Sequence, residues 1–425
     1  MNLSEKDRNF VWHPFTHLKS QAQPVIIERA EGSYYYDDKG KQYIDAISSW
    51  WVNLHGHSNP YISKKVAEQV HKMEHVMFSG FTHQPAIELA ERLIQHLPDN
   101  QSKIFYSDNG STAVEVALKM ALQYWHNKSE DKPLFIAFEN AYHGDTFGGM
   151  SVGERNVFNN AFEKLLFDVV HVPVPNNGNI QFLLKEFDKL IQNHAVAGFI
   201  FEPLVQGAAG MLMYDAEYLD LIIALCKKNN VITIADEVMT GFGRTGRFFA
   251  TDYLSNKPDI VCLSKGLTGG YMPLGVTSCA GFVYEAFISD DKTKTFFHGH
   301  SYTANPTACS AAIASMDLME KKETTESIER ISKSHADFLQ KIKTHKRIKD
   351  IRQRGTILAI ELVTDEETSY LNNAAETISN YFMQKGILLR PLGNVFYVLP
   401  PYCISTTDLQ RIYSVIESFL EESAT

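Results

Sequence analysis

The sequence predicts an α/β protein with a large, mostly parallel sheet flanked by helices and a second, smaller α/β domain. Two observations lead to this prediction. A chain of 425 residues is too long for one compact core and fits two domains. Between about residues 60 and 310, helical patterns alternate with short, continuously apolar runs, as expected of parallel strands that helices cover on both faces. These runs lie at 134–138, 197–201, 231–235 and 260–263.

The segments on either side of this region have different patterns. Residues 25–47 alternate β-rich runs with turn signals at Glu31-Gly32 and at residues 38–40, which predicts a small antiparallel meander. Beyond about residue 320 the chain becomes charged and helical, and it is then strand-like around TILAIEL and NVFYVLP. We interpret this last part as the smaller domain.

A helix is predicted directly after Ser111, which we expect to be its N-cap. The free backbone donors at the N-terminus of such a helix can bind a phosphate group. A capped helix without a ligand has the same pattern, so this signal needs support from other residues. The apolar residues of the segment keep the i, i+3, i+4 spacing of a helix packed on one side: Val114, Ala117, Leu118, Ala121, Leu122 and Trp125.

Composition restricts the partners and the location of the protein. A net charge of −10 argues against a nucleic-acid or anionic-membrane partner, so an anionic substrate must be held by local cations. The N-terminus lacks the apolar core of a signal peptide, and no run approaches the roughly 20 apolar residues of a membrane span. Without a C-x-x-C pair, the cysteines indicate no metal site and no disulfide framework, but buried thiols in a reducing compartment. We therefore expect a cytoplasmic protein. The cysteines are Cys226, Cys262, Cys279, Cys309 and Cys403.

Polar side chains follow two predicted strands of the large sheet. VITIADE ends in Asp236 and Glu237, and IVCLSKGLTGG brings Lys265 to the start of a glycine-rich turn. Ligands bind at the carboxyl ends of parallel strands, so Asp236 and Lys265 can face one ligand from two sides. Pyridoxal phosphate needs this pair, because a lysine amine forms an imine with it and a carboxylate keeps its pyridine nitrogen protonated. Taken singly, a surface turn and a solvated lysine are the simpler interpretations.

Five motifs resemble the class III aminotransferases, which have fold type I. They are SDNGSTAVEVALKMALQYW, AYHGDTFGGMS, FEPLVQGAAGM, ADEVMTGFGRTG and LSKGLTGG. The resemblance implies a transaminase that uses pyridoxal 5'-phosphate. Residue by residue, Gly110 and Ser111 would bind the phosphate and Tyr142 would stack on the pyridine ring. Asp236 would pair with the ring nitrogen and Lys265 would bind the cofactor covalently.

The fold of the resembled family also implies how the chain is divided. Residues 1–50 would contribute to the small domain, residues 51–320 would form the large cofactor-binding domain, and residues 321–425 would form the rest of the small domain.

A different enzyme class must be weighed for residues 241–246. Their sequence, GFGRTG, satisfies the G-x-G-x-x-G dinucleotide pattern and follows a predicted strand. The next residues, RFFATDYLSNKPDI, are short and run into Pro258, whereas the dinucleotide pattern requires a long helix. We therefore reject a nicotinamide-dependent dehydrogenase.

Four further stretches narrow the resemblance to the branch of the family that acts in biotin biosynthesis. That branch transfers an amino group from S-adenosylmethionine to 8-amino-7-oxononanoate. The acceptor carries a carboxylate on a long aliphatic chain, so its site needs an apolar wall and a cation. The resemblance assigns these roles to Trp50 and Arg390, and the planar guanidinium of arginine suits a carboxylate. Tyr397 would lie near the same pocket. The stretches are WHPFT, SSWW, HVMFSGFTHQPAIELAERL and LLRPLGNVFYVLPPY.

The loop at residues 297–302 corresponds to the family loop that crosses a dimer interface to the phosphate of the neighbouring subunit. The resemblance therefore implies a homodimer in which Gly299, His300 and Ser301 reach substrate or cofactor. Two positions depart from the family pattern. Ser301 stands where threonine is usual, which retains the hydroxyl, and His300 stands where proline is expected.

A third departure concerns the amino donor. Phe15 stands where the resembled enzymes commonly have a tyrosine that helps to recognise substrate. Some members use lysine as the donor, and we favour S-adenosylmethionine while leaving lysine open. Two other hypotheses remain: a class III enzyme for ω-amino acids or diamines, and a protein that binds the cofactor without turnover. The WHPFT and SSWW motifs argue against the first, and the presence of both Lys265 and Asp236 argues against the second.

Overall fold

The computed structural model describes residues 1–19 and 23–422, in which four sheets are formed. Their strands are β1 (Ile27–Glu31), β2 (Tyr34–Asp37), β3 (Gln42–Asp45), β4 (Gln101–Ser107), β5 (Leu134–Phe138), β6 (Val169–Val172), β7 (Val196–Phe201), β8 (Val205–Gln206), β9 (Leu212–Met213), β10 (Ile232–Asp236), β11 (Ile260–Leu263), β12 (Gly275–Ala280), β13 (Ile348–Arg354), β14 (Ile357–Leu362), β15 (Ile387–Leu388) and β16 (Val395–Val398). The largest sheet has the order β4-β12-β11-β10-β7-β5-β6.

The large sheet is mostly parallel because β12 alone, among its described strands, runs antiparallel to its neighbours β11 and β4. The four apolar runs of the sequence coincide with β5, β7, β10 and β11 within one residue. Every residue of β7, β10 and β11 is buried, which explains why these strands are continuously apolar rather than alternating. The predicted α/β class with a mostly parallel sheet is confirmed.

Helices cover this sheet and build the rest of the molecule. None of those in the described part of the chain has the length and apolar composition to cross a bilayer. The helices are α1 (Leu3–Phe10), α2 (Ser48–Trp51), α3 (Pro60–Lys72), α4 (Gln84–His96), α5 (Gly110–Asn127), α6 (Phe147–Val152), α7 (Ile180–Asn193), α8 (Ala216–Lys228), α9 (Gly281–Glu285), α10 (Pro306–Met319), α11 (Lys322–Ile342), α12 (Ala374–Gln384) and α13 (Thr406–Glu422).

The two ends of the chain meet in one small sheet. The predicted meander is present as β1, β2 and β3, which pair antiparallel in sequence order. β15 then pairs parallel with β3, with Ile387 opposite Ile44. A third sheet, β13-β14-β16, is antiparallel and packs near α11 and α12. The division at residues 1–50, 51–320 and 321–425 stays a prediction, and residues 20–22 and 423–425 of its outer segments lie outside the described residues.

The predicted N-cap of α5 is wrong by two residues. Asn109 is the cap: its backbone is extended, and its side-chain oxygen accepts the N–H of Thr112 at 2.9 Å. The Thr112 hydroxyl in turn accepts the N–H of Asn109 at 3.1 Å, which completes a capping box. Because this reciprocal pair fits Asn109 and Thr112, Ser111 lies inside the first turn and its hydroxyl is not used as the cap.

The prediction of buried thiols also needs one correction. Four of the cysteines are buried, whereas Cys403 is exposed. Cys403 belongs to the short turn between β16 and α13, and turns run over the protein surface.

Residues 241–246 form a turn that packs against the smaller α/β part of the chain. The helix that follows it is a single short 3-10 turn, Ala250–Tyr253, which confirms the rejection of a dinucleotide fold. The turn packs on the β13–β14 hairpin, where the N–H of Thr356 donates to the carbonyl of Arg244 at 2.9 Å. At Gly355, with φ +54°, an added Cβ would lie 2.2 Å from the Thr245 carbonyl carbon. Glycine is required there because the backbone of Gly355 lies directly against the backbone of residues 244–246.

We predict that Gly355→Ala destabilises the protein more than Gly32→Ala does. Both glycines have left-handed backbone, φ +54° and +56°, but an added Cβ meets nothing within 4 Å at Gly32. The Gly32 variant should therefore lose only about 1–2 kcal/mol of conformational free energy. The Gly355 variant should lose about 1–3 kcal/mol more, because its methyl group overlaps the 244–246 backbone.

Thermal unfolding followed by circular dichroism measures this difference. Equal decreases in Tm for the two variants would show that close packing at Gly355 is unimportant.

Candidate active site

A cavity of about 780 Å³ opens at the carboxyl ends of β7, β10 and β11. It lies where ligands bind in open α/β sheets. Twelve residues were predicted for the site, and eight of them line this cavity: Phe15, Trp50, Gly110, Ser111, Tyr142, Asp236, Lys265 and Arg390. The structure does not bring the other four into its wall: Tyr397, Gly299, His300 and Ser301.

Asp236 is the last residue of β10 and is buried in the cavity floor. The N–H of Val238 donates to one carboxylate oxygen at 3.1 Å, and Nδ1 of His143 lies 2.7 Å from the other. Nε2 of His143 is buried without a hydrogen-bond partner among the described residues. These two contacts fix the orientation of the carboxylate. His143 was missed in the sequence, although it directly follows Tyr142 in the motif AYHGD.

Lys265 follows β11 and approaches Asp236 from the neighbouring strand. Burial lowers its pKa to about 8, against the opposing effect of the Asp236 and Glu202 carboxylates. Its ammonium nitrogen lies 4.5 Å from the centroid of the Trp51 ring. Its backbone has φ +47°, a left-handed conformation that is uncommon for lysine. The amine is therefore held in a low-dielectric site where its neutral, nucleophilic form is accessible.

Glu202 follows β7 and is a third ionisable group at the same sheet edge. It accepts the N–H of Tyr142 at 3.2 Å and the N–H of Gly207 at 2.9 Å. Burial and the nearby Asp236 carboxylate raise its pKa to about 7, although His143 acts in the opposite direction. The sequence contained a usable signal, because FIFEP ends a buried strand with a carboxylate in the same way as ITIAD.

The N-terminus of α5 forms a narrow cradle at one side of the cavity. The first N–H groups of a helix have no intrahelical partner, and here they belong to Gly110 and Ser111. A Cβ on Gly110 would lie 2.7 Å from a Val238 methyl carbon, and one on Gly144 would lie 2.1 Å from the Ser111 hydroxyl. Both glycines thus allow close backbone approach. Free N–H groups and the helix dipole suit a phosphate group.

The opposite side of the cavity is aromatic and carries one cation. The guanidinium carbon of Arg390 lies 3.9 Å from the Trp50 ring centroid and 5.6 Å from that of Phe15. Its Nη2 donates to the hydroxyl of Tyr370 at 3.3 Å. Trp50 is 39% exposed, in keeping with a wall position. An arginine stacked on rings keeps its N–H edge available for a carboxylate.

Trp51 joins the cavity wall, whereas Tyr397 differs from the sequence-based interpretation. Trp51 is 6% exposed but still lines the cavity beside Lys265, so both tryptophans contribute to the wall. Tyr397 does not line it: its hydroxyl accepts the Trp51 indole N–H at 2.8 Å from behind. Tyr397 on β16 faces the core, and the indole of Trp51 stands between it and the cavity. The prediction that Tyr397 contacts substrate directly is therefore wrong. Tyr397 supports Trp51 instead.

The loop at residues 297–302 lies on the surface of the chain, away from the cavity. Gly299 and Ser301 are exposed and His300 is half-buried. Phe297 and Tyr302 are 74% and 67% exposed, which is unusual for aromatic side chains. Within one chain this loop cannot contribute to the site.

Sequence and structure comparisons give consistent matches. Over 420 residues, the chain is 46% identical to a Synechococcus elongatus protein named adenosylmethionine-8-amino-7-oxononanoate aminotransferase, which covers 97% of this chain and 98% of the relative. The crystal structure of the protein of that name from Methanocaldococcus jannaschii matches with a TM-score of 0.92 and 38% identity, with 98% of each chain covered. The omega transaminase of Pseudomonas jessenii in complex with PMP matches with a TM-score of 0.92 and 29% identity, over 99% of this chain and 98% of that one.

These structural neighbours have fold type I, which confirms the fold predicted from the five motifs. A family model described as aminotransferase class-III matches residues 16–420. The match includes all three strand ends that meet in the cavity. The chain belongs to the class III aminotransferase family.

Proposed function

We propose that this enzyme uses pyridoxal 5'-phosphate to transfer an amino group from S-adenosyl-L-methionine to 8-amino-7-oxononanoate. The product would be 7,8-diaminononanoate, in biotin biosynthesis. The names of the relatives in S. elongatus and M. jannaschii support this substrate pair. The observation that carries the cofactor assignment is that Lys265, Asp236 and the N-terminus of α5 line one cavity.

The residues present fit the cofactor at its aldehyde, its ring nitrogen and its phosphate. The amine of Lys265 would bind it covalently, Asp236 would face its ring nitrogen, and the N–H groups of Gly110 and Ser111 would hold its phosphate. The ring of Tyr142 would cover one face. When bound, pyridoxal phosphate supplies an electron sink for the bonds of the amino-bearing carbon.

The side chains supply positioning and proton transfer. Asp236 is fixed by His143 and Val238, so its negative charge stays directed at one point of the cavity. The amine of Lys265, with a pKa near 8, can accept and return a proton near neutral pH. Trp51 beside this amine limits the access of water.

The acceptor would lie with its carboxylate on Arg390 and its aliphatic chain along Trp50 and Phe15. The rings of Trp50 and Phe15 give this end an apolar wall, which suits a long methylene chain. Arg390 has no carboxylate within ion-pair distance in the described part of the chain, so its charge is available to the substrate.

A homodimer is part of this proposal. In it, Gly299, His300 and Ser301 would complete the partner subunit's site. The exposed Phe297 and Tyr302 on the same loop support an interface there, because aromatic residues are enriched in interfaces. The cytoplasmic location stays a prediction.

Two alternatives concern the substrates. Phe15 lines the cavity without a hydroxyl, so lysine remains open as the donor. A class III enzyme for ω-amino acids or diamines would have the same fold, as the omega transaminase match illustrates. The aromatic wall of Trp50 and Phe15 beside Arg390 favours an acceptor with a long aliphatic chain.

We predict that the purified protein has a visible absorption band from the lysine-bound cofactor, and that S-adenosylmethionine removes this band. Lys265→Ala should abolish the band and lower turnover by more than about a thousandfold, because the covalent nucleophile is lost. Lys185→Ala, on the exposed face of α7, is the matched control and should behave like wild type.

A band that responds to lysine but not to S-adenosylmethionine would change the donor and leave the class intact. A protein that forms no band with added pyridoxal phosphate would contradict the cofactor assignment.

We predict that the rate of cofactor binding to the cofactor-free protein rises with pH through an apparent pKa near 8. Burial lowers the pKa of Lys265 from its ordinary value, so the neutral amine forms at a lower pH than in an exposed lysine. Asp236→Asn removes a carboxylate that raises this pKa, so the midpoint should move to lower pH. Stopped-flow absorbance at saturating pyridoxal phosphate measures both midpoints. A midpoint that stays constant or rises in Asp236→Asn would exclude this coupling.

We predict that Arg390→Ala raises the KM for 8-amino-7-oxononanoate by about tenfold or more, because a charged hydrogen-bonded contact to the carboxylate is lost. The control is the analogue in which the carboxylate is replaced by a methyl group, whose KM should be nearly the same in both proteins. Steady-state kinetics with both compounds give the comparison. Equal effects on the acid and the analogue would remove Arg390 from carboxylate binding.

A further inference from the structure

The turn that carries Trp50 and Trp51 is strained. Ser48, Ser49 and Trp51 have φ of 54°, 62° and 67°, so three of its four residues adopt left-handed backbone without being glycine. Side chains with a Cβ rarely adopt this region, and such conformations persist only where surrounding contacts hold them. The turn therefore needs an external support, and the support determines where the two indoles stand.

Asp45, at the end of β3, supplies that support from below. Its carboxylate is fully buried and accepts the N–H of Ile47 at 3.1 Å and the N–H of Ser49 at 2.6 Å. Nε2 of His57 donates to the same carboxylate at 2.8 Å. One carboxylate thus fixes two backbone donors of the turn, and hydrogen bonds to a charged acceptor are the stronger ones.

His57 connects this carboxylate to the N-terminal meander. Its Nδ1 accepts the side-chain N–H of Asn53 at 3.1 Å, and its ring packs on Tyr35 with centroids 4.3 Å apart. Its backbone exchanges two hydrogen bonds with Gly32, of 2.7 and 3.0 Å. The imidazole is therefore held on both sides and cannot leave Asp45 without disturbing the meander.

We propose that Asp45 and His57 are positioning residues that hold the Trp50–Trp51 wall for the acceptor of the proposed reaction. Neither lines the cavity, so they act through the turn. We call Asp45 and His57 together the clamp. Without the clamp the turn relaxes toward ordinary backbone angles. Trp50 then moves relative to Arg390, whose guanidinium carbon lies 3.9 Å from the Trp50 ring centroid. The inference rests on the proposed function for the identity of the substrate, but not for the position of the wall.

The chain contains a matched control for a merely structural role. Asp37, at the end of β2, is also buried, and it accepts the N–H groups of Lys39 and Lys41 at 3.0 and 2.8 Å. The hydroxyl of Tyr43 donates to its second oxygen at 3.0 Å. Asp37 thus makes the same kind of network in the same sheet, but the turn it holds carries no residue of the cavity wall.

The experiment compares Asp45→Asn with Asp37→Asn, each as the purified enzyme loaded with its cofactor. Both should unfold at lower temperature than wild type, because an amide cannot accept all the former hydrogen bonds. Only Asp45→Asn should raise the KM for 8-amino-7-oxononanoate, by about fivefold or more, with kcat changed less than about twofold. Equal KM values in the two variants would overturn the proposal.

A second variant keeps the test valid if Asp45→Asn does not fold. His57→Phe retains a ring on Tyr35 and removes the donor to Asp45, and it should raise the same KM. His57→Gln, which keeps a side-chain N–H donor, should restore most of the affinity. A His57→Phe enzyme with the wild-type KM would overturn the proposal.

Acrylamide quenching of tryptophan fluorescence tests the wall without any substrate. Trp51 is only 6% exposed, so quenching should increase in Asp45→Asn and His57→Phe and stay unchanged in Asp37→Asn. If wild-type enzyme does not turn over 8-amino-7-oxononanoate, the proposed function fails, and quenching alone decides the role of the clamp. Unchanged quenching in both clamp variants would then refute it.

Discussion

The placement of β7, β10 and β11 side by side in one parallel sheet is the constraint on which the site depends. Each strand ends in or just before an ionisable residue, and adjacency brings Glu202, Asp236 and Lys265 to one buried edge. Burial disfavours the charged forms of Lys265 and Glu202. The carboxylates around Lys265 oppose this effect, and so do the His143 ring and the backbone donors around Glu202. The balance leaves an amine with a pKa near 8 and a carboxyl with a pKa near 7 beside a fixed carboxylate. The order of the strands in the sheet therefore places two groups that can exchange protons near neutral pH, Lys265 and Glu202, in one site.

Much of the large domain was accessible from sequence because local signals and tertiary structure agree there. Strands buried on both faces read as unbroken apolar runs, so β5, β7, β10 and β11 were located within one residue. Residues at strand ends, such as Asp236 and Lys265, could be assigned to one pocket by the geometry of parallel sheets alone. The prediction of the α5 N-cap was wrong because asparagine and serine are both good caps. Only the reciprocal hydrogen bonds with Thr112 distinguish Asn109 from Ser111.

Other features depend on contacts between distant segments, which one sequence does not contain. Trp51 is buried and still faces the cavity because its indole lies between Lys265 and Tyr397, 132 residues apart. The pairing of His143 with Asp236 likewise joins residues 93 positions apart. The proposed role of the loop at 297–302 likewise depends on a contact with a second chain. Family resemblance supplied Trp50, Arg390 and this loop, for which physical patterns gave no signal, but it missed His143 and wrongly placed Tyr397 in direct contact with substrate.

The pairing of β15 with β3 has a consequence for synthesis of the protein. The residues with which a chain would bind the cofactor in its own cavity are complete once Lys265 has left the ribosome, but Arg390 comes more than a hundred residues later, next to the strand that closes the N-terminal sheet. A nascent chain therefore carries the meander with an unpaired edge at β3 throughout most of translation. Closing this sheet is a contact of very long sequence separation, which is slow to form. The acceptor end of the cavity is thus the last part to mature, and a chain that terminates before Arg390 has the aromatic wall of this end without its cation.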